Sequence, residues 1–315
     1  MKAVRFHAYG DAGVLRHEDA PLPVPNDGDV LIKVHAAGVN PADVQFRRGD
    51  YQAFAPLPLP FIPGWDVAGA IVANAGGFKA DERVFAMADM GRHGAYAEYI
   101  AVRATDVAHA PARLPLEHAA GVPLAALTAW SALFDIAQLQ AGQSVLVHAG
   151  AGGVGQFAIQ LARRAGARVI ATASAANHEL LRRLGADVVI DYRNADFAAG
   201  LANLDMVLDT VGGQTRERSW PVLRSGGILV AVAMPPPDAA VAQSYGVRTA
   251  MTTVLPNGER LTEIARLIDS GELDVTIDSE FTLAQAAEAH RRIEQGHARG
   301  KIILRIAAST HEEAP

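Results

Sequence analysis

The chain has 315 residues, half of them hydrophobic, with 28 basic against 34 acidic side chains, a net charge of −6 and no cysteine. That length exceeds one ordinary core, so two domains are expected, and the apolar content excludes a disordered chain. The acidic balance argues against nucleic acid or an anionic membrane as partner, and the missing thiols exclude disulfides, cysteine zinc centres and thiol nucleophiles.

The opening residues, MKAVRFHAYG, hold no apolar signal core. The longest uncharged apolar stretch, Ala119 to Phe134, is interrupted by Pro123, Thr128 and Ser131, so no membrane span is expected and a cytoplasmic location follows. Through the first third, short β-type runs such as DVLIKVHAAGVN and DVAGAIVANAGG alternate with proline- and glycine-rich links, PLPLPFIPG among them. Residues 1–122 therefore read as a mostly antiparallel β domain. From Ala119 a helix-like segment continues to Ala137. Beyond it SVLVHA, RVIATAS, DVVIDY, LDMVLDTVGG and GGILVAVA read as buried strands alternating with helix-length segments over 123–255, the pattern of a parallel sheet with crossover helices. Residues 256–315 show helical spacing in GERLTEIARLIDSGEL and TLAQAAEAHRRIEQG, then a strand, KIILRIA, and a polar tail, STHEEAP, expected to be loose. The charged run EAHRRIEQGHARGK reads as a solvated helix, with His290 and His297 in water.

Between SVLVHA and the following helix lies Gly150-Ala151-Gly152-Gly153-Val154-Gly155, which fits the dinucleotide fingerprint in its proper strand–loop–helix context. The first glycine permits a tight turn, the second a close approach of backbone to pyrophosphate, and the third close helix–strand packing. Main-chain N–H groups and the helix dipole then face the phosphates. The second strand ends in Ser174, without the acidic residue that holds the ribose 2′-hydroxyl of NAD. Ser174, Asn177, Tyr192 and Arg193 are placed to offer hydrogen bonds or charge to a 2′-phosphate, so NADPH is the expected cofactor. Ser174 and Tyr192 also read as ordinary polar residues at loop ends.

The stretch GQSVLVHAGAGGVGQFAIQLAR, together with AAGVNPADVQFRRGDY, PFIPGWDVAGAI, AAGVPLAALTAW and GHARGKIILRI, resembles the quinone oxidoreductase and zeta-crystallin branch of the medium-chain dehydrogenase/reductase superfamily over nearly the whole chain. The resemblance implies an α/β protein in which a Rossmann doubly wound parallel sheet is inserted in a GroES-like, mostly antiparallel β domain, and a homodimer. It places Asn40 and Tyr51 beside nicotinamide and substrate, and Thr128 near the nicotinamide amide. Relatives often carry a lysine at the position of Asn177, and Arg193 or His178 would have to compensate. Zinc members carry Gly-His-Glu where this chain has Gly64-Trp65-Asp66, so no metal is expected; the histidines are scattered without ligand spacing.

Without zinc, the reaction implied is hydride transfer from NADPH to an electrophilic small molecule, a quinone or an α,β-unsaturated carbonyl, in a water-poor cleft between the domains. Asn40 would orient a cofactor or carbonyl group, and Tyr51 would hydrogen-bond a carbonyl oxygen or stack on a ring. A second reading is an NADPH-binding sensor or scaffold with incidental reductase activity. Ligands of such sheets lie outside the strand C-termini, which adds Val211, Val232 and Met234 as cofactor contacts. Asp209 reads equally as a strand-end cap, and Lys301 either as reaching the cofactor from the returning domain or, by preference, as an exposed strand-edge lysine. The segment VRTAMTTVL is either an internal strand or an edge for pairing across a two-fold axis.

Overall fold

The computed structural model describes residues 1–306, so STHEEAP lies outside the described residues. The chain divides into two compact units: Met1–Leu124, Leu255–Gly271 and the described residues from Val275 form the first, and Ala125–Val254 with Glu272–Asp274 the second.

The first unit begins with an antiparallel pair, β1 (Lys2–Phe6) and β2 (Leu15–Asp19), followed by β3 (Asp29–Val39). Beyond β3 comes α1 (Pro41–Arg48), started by Pro41 at its first position and stopped by Gly49 at φ 88°. Strands β4 (Asp66–Ile71), β5 (Arg83–Met87), β6 (Tyr99–Arg103) and β7 (Val107–His109) and helix α2 (Leu116–Ala119) complete this stretch. The pairings β3–β4, β3–β6, β4–β5 and β5–β7 are all antiparallel. Strand β3 runs through the middle because its second half is built of small residues. A Cβ on Gly38 would stand 2.4 Å from the Ala120 carbonyl oxygen and 2.8 Å from Asp66 Cβ.

The helix-like segment after Ala119 is not continuous. Pro123, which lacks an N–H and has its φ fixed, starts a new helix, α3 (Pro123–Trp130), and a π-helical turn follows at Ser131–Ile136.

The second unit holds β8 (Ser144–Val147), α4 (Gly153–Arg164), β9 (Arg168–Ala173), α5 (His178–Arg183), β10 (Val188–Asp191), β11 (Leu204–Asp209), α6 (Gly213–Glu217), β12 (Leu223–Ala231), α7 (Ala239–Ser244) and β13 (Arg248–Met251). The six strands are parallel in the order β10-β9-β8-β11-β12-β13, the doubly wound arrangement with its switch point at β8/β11. Val145, Leu146, Val147, Val207 and Leu229 are wholly buried, as strands covered on both faces require.

The chain then returns to the first unit with α8 (Gly258–Asp269), β14 (Ile277–Thr282), α9 (Ala286–Glu294) and β15 (Lys301–Arg305). Two expectations are overturned here. Lys301 is not an exposed edge residue: β14 pairs with one side of β15 and β3 with the other, and its side chain is buried. Nor is His290 in water. Helix α9 turns Ala286, Ala289 and His290 inward, and the charged face that looked like a solvated run is only its outer side.

Candidate active site

In the second unit the loops after β8, β9, β10, β11 and β12 all leave the same, carboxyl, edge of the sheet, so the fingerprint, Ser174, Tyr192, Val211 and Val232 lie along one rim. The three glycines of the fingerprint have different tasks. A Cβ on Gly155 would lie 2.4 Å from the Ala149 carbonyl oxygen and 2.8 Å from Gly150 Cα, and one on Gly150 would press on Ile159, Ala171 and Leu181 at 3.0–3.1 Å. Those two close the loop onto the strand and helix. Gly152 is otherwise placed: the one neighbour of its Cβ within 4 Å would be Ala149 O at 3.2 Å, and Gly152, Gly153 and Val154 stay partly open to solvent. With α4 starting at Gly153, the free N–H groups of its first turn rise behind this bare face, the cradle that a pyrophosphate fits.

Beneath the loop is one of the histidines that the sequence scatters without ligand spacing. His148 is buried, its Nε2 2.9 Å from Ser219 Oγ and its Nδ1 3.2 Å from Thr172 Oγ1. Because Ser219 Oγ donates to the Thr215 carbonyl, Nε2 carries the hydrogen, and Nδ1 accepts from Thr172. Thr172 Oγ1 in turn accepts the Ala149 N–H at 3.3 Å, steadying a residue with φ 47° at the loop's entry. Burial pushes the His148 imidazole down to about 4, so the ring stays neutral.

At the rim beyond β9, Asn177 Nδ2 donates to Ser174 Oγ at 3.3 Å. The guanidinium of Arg193 stands 5.8 Å from the Tyr192 ring centroid. Strand β10 pairs Asp191 with Ala173 and so brings Tyr192 and Arg193 next to the end of β9. Asp191 is an acid the sequence reading did not consider; its carboxylate accepts from the Arg193 N–H and Asn194 Nδ2 and is turned to capping that turn. Thr128 is buried on α3. Asp209 caps the loop after β11, taking the N–H groups of Val211 and Gly212 on Oδ1, while Oδ2 meets Arg216 Nε at 2.6 Å. The side chains of Val211 and Met234 are exposed, and Val232 is partly so.

In the first unit Asn40 follows β3 and caps α1. Its side chain joins a buried cluster that no local motif announces. Asn40 Nδ2 donates to Asp66 Oδ2 at 2.9 Å, Lys301 Nζ donates to Asn40 Oδ1 and lies 3.2 Å from Asp66 Oδ2, and Leu124 N–H donates to Asp66 Oδ1 at 2.6 Å. The sheet register creates this meeting: Gly38 faces Asp66 across β3–β4, and Val39 faces Ile302 across β3–β15, so the next residues outward, Asn40 and Lys301, become neighbours. An ammonium can only donate, so the amide must turn its oxygen to Lys301 and its nitrogen to Asp66.

Behind Asn40, Asp43 Oδ2 accepts the Asn40 main-chain N–H at 2.7 Å and the Tyr96 hydroxyl at 3.2 Å; Tyr96 also lies 3.1 Å from His290 Nε2. Burial pushes the Asp43 carboxyl up to about 7 and the His290 imidazole down to about 3. Tyr51 stands apart from this cluster. Its hydroxyl donates to Gln45 Oε1 at 2.7 Å, and its ring packs edge-on against Phe46 and Phe54.

A family model described as the alcohol dehydrogenase GroES-like domain matches residues 26–112, and one described as zinc-binding dehydrogenase matches residues 184–304. The chain is 34% identical to the chloroplastic quinone-oxidoreductase QR1 of Triphysaria versicolor, with 96% of this chain and 98% of that protein covered. Among solved structures it is similar to the quinone oxidoreductase from Coxiella burnetii, at 35% identity and TM-score 0.90 with 98% and 99% covered. It is also similar to the Escherichia coli quinone oxidoreductase complexed with NADPH, at 27% identity and TM-score 0.87 with 97% and 100% covered.

The zinc in that family description does not fit the residues present. The chain has no cysteine, Trp65 offers no ligand atom, and both oxygens of Asp66 are already engaged. Among the described residues no three histidine, aspartate or glutamate side chains are grouped to hold a metal ion. A nicotinamide dinucleotide, by contrast, suits the bare face of Gly152 and the rim beyond it. With this fold, this cradle and these relatives, the chain belongs to the medium-chain dehydrogenase/reductase superfamily and is an NAD(P)H-dependent oxidoreductase.

Proposed function

We propose that the enzyme transfers hydride from NADPH to a quinone or an α,β-unsaturated carbonyl without a metal ion. The observation that carries this reading is the Asn40–Asp66–Lys301 cluster. Lys301 locks the amide oxygen of Asn40 and one amide hydrogen goes to Asp66; in this reading the second would be the oriented N–H donor for an acceptor's carbonyl oxygen. When bound, the cofactor supplies the hydride. Asn40 then stabilises the negative charge left on that oxygen, held in place beforehand by buried partners and needing no rearrangement; solvent supplies the proton. Quinones and enones are electrophilic enough to need no stronger Lewis acid.

The choice of NADPH rests on Ser174, Asn177, Tyr192 and Arg193 at the end of β9, with Asp191 occupied in its own turn, and the Escherichia coli relative is described as complexed with NADPH. Strand β13, at the edge of the six-stranded sheet, is the surface through which a homodimer would pair, and sedimentation of the pure protein tests that. For the activity itself, the purified chain with chelator present should oxidise NADPH when small quinones or enones are added. No turnover across such a panel would sink the reading, and tight NADPH binding without turnover would favour the role of sensor or scaffold.

A further inference from the structure

Arg216 was not among the residues picked out by motif, yet it is nearly wholly buried at the carboxyl edge of the parallel sheet. Its Nε donates to Asp209 Oδ2 at 2.6 Å, Nη1 donates to the Pro235 carbonyl and Nη2 to the Ala233 carbonyl. The other oxygen of Asp209 holds the N–H groups of Val211 at 3.0 Å and Gly212 at 2.7 Å. One ion pair thus fastens the loop after β11 to the loop after β12. Gly212, at φ 77°, packs against the guanidinium: a Cβ there would stand 3.5 Å from Arg216 Nη2 and 3.4 Å from the Met234 carbonyl oxygen. Above this buried polar frame the side chains of Val211 and Met234 are 50% and 40% exposed.

A buried ion pair often stabilises a fold no better than apolar side chains of the same volume, so the pair is weak evidence for stability and its geometry is the feature to weigh. The geometry points to Arg216 as a positioning residue for the cofactor: by tying Asp209 to the Ala233 and Pro235 carbonyls, it holds Val211 and Met234 as one apolar platform for the nicotinamide end of the dinucleotide. This rests on the nicotinamide-cofactor reading given above. The guanidinium's fork is what the role requires, since a point charge on a flexible stem can keep the Asp209 contact but cannot span two carbonyls with fixed angles.

The test is calorimetric titration of the full chain with NADPH and, separately, with 2′-phospho-ADP-ribose, the same molecule without its nicotinamide. Arg216→Gln should weaken NADPH binding on the order of tenfold and 2′-phospho-ADP-ribose by less than about twofold. Arg216→Lys, which retains the charge opposite Asp209, should weaken NADPH about threefold with the same selectivity, and it decides the matter if the glutamine variant does not fold. Equal losses for the two ligands would reduce Arg216 to a support of the fold and overturn the inference, as would unchanged NADPH binding in both variants. Failure of the unaltered chain to bind NADPH at all would instead remove the cofactor reading beneath it.

Discussion

Lys301 Nζ and Asp66 Oδ2 lie 3.2 Å apart in the first unit, both side chains almost fully buried, with the Asn40 amide held against the two of them. Removing one member of such a pair leaves the other charge buried alone, which costs about 3–5 kcal/mol, whereas removing both together costs far less. Lys301→Met is therefore expected to destabilise the chain by roughly that amount. Lys301→Met combined with Asp66→Asn should recover most of it. Neither variant should recover full kcat, because Asn40 has lost the cation that orients it. Denaturant unfolding of the single and double variants, with kcat beside them, checks both statements.

The fingerprint glycines should separate by task. Gly155→Ala forces a Cβ to 2.4 Å from a carbonyl oxygen and is expected to cost about 2 kcal/mol or more of stability. Gly152→Ala has only one neighbour, at 3.2 Å, and should change stability by less than about 1 kcal/mol while weakening NADPH binding roughly tenfold or more, because the methyl stands where the pyrophosphate would lie. Thermal melts of the apo variants and titration with NADPH distinguish the two.

Stability should depend on pH in two opposing ways. Burial depresses the His148 imidazole from 6.5 to about 4. Its contribution is complete above 6.5 and is lost as pH falls through about 4, because the unfolded chain takes up the proton first. Asp43 has the opposite sign. Its carboxyl is raised from 3.8 to about 7, so its contribution is complete below 3.8 and disappears as pH rises through about 7. His148→Asn should flatten the acid-side loss by an amount on the order of 3 kcal/mol, and Asp43→Asn should remove the decline toward neutrality. Unfolding free energies across that range, for both variants against the unaltered chain, provide the check.

Coenzyme choice should hinge on the rim beyond β9. Arg193→Ala is expected to lower kcat/KM with NADPH about tenfold and to leave NADH within about twofold, since only the former carries a 2′-phosphate for the guanidinium. Equal losses with both coenzymes would place Arg193 outside the phosphate site.

Much of this protein is written in short-range pattern. The alternation of strands and helices in the second unit, and the six-residue spacing of the fingerprint, are local consequences of backbone geometry: a parallel strand buried on both faces must be apolar throughout, and a phosphate-binding turn must have glycine where a Cβ would collide. Those features are legible in a single stretch of chain, and the fold class follows from them. Even Trp65 and Asp66, in place of metal ligands, speak through their side-chain chemistry alone.

Tertiary structure decided the rest, because it depends on which distant segments become neighbours. Asn40 and Asp66 are 26 residues apart and Lys301 lies 235 beyond Asp66, so their meeting follows from the register of β4 and β15 on β3. Seen in one dimension, Lys301 is a surface lysine and His290 part of a charged run; β14 takes the strand of the first off the sheet edge, and the second lies on the buried face of α9. Arg216 and His148 carry no motif. Their places are set by the carbonyls and hydroxyls that surround them, and a buried donor or acceptor shows its purpose only once its partners are fixed in space.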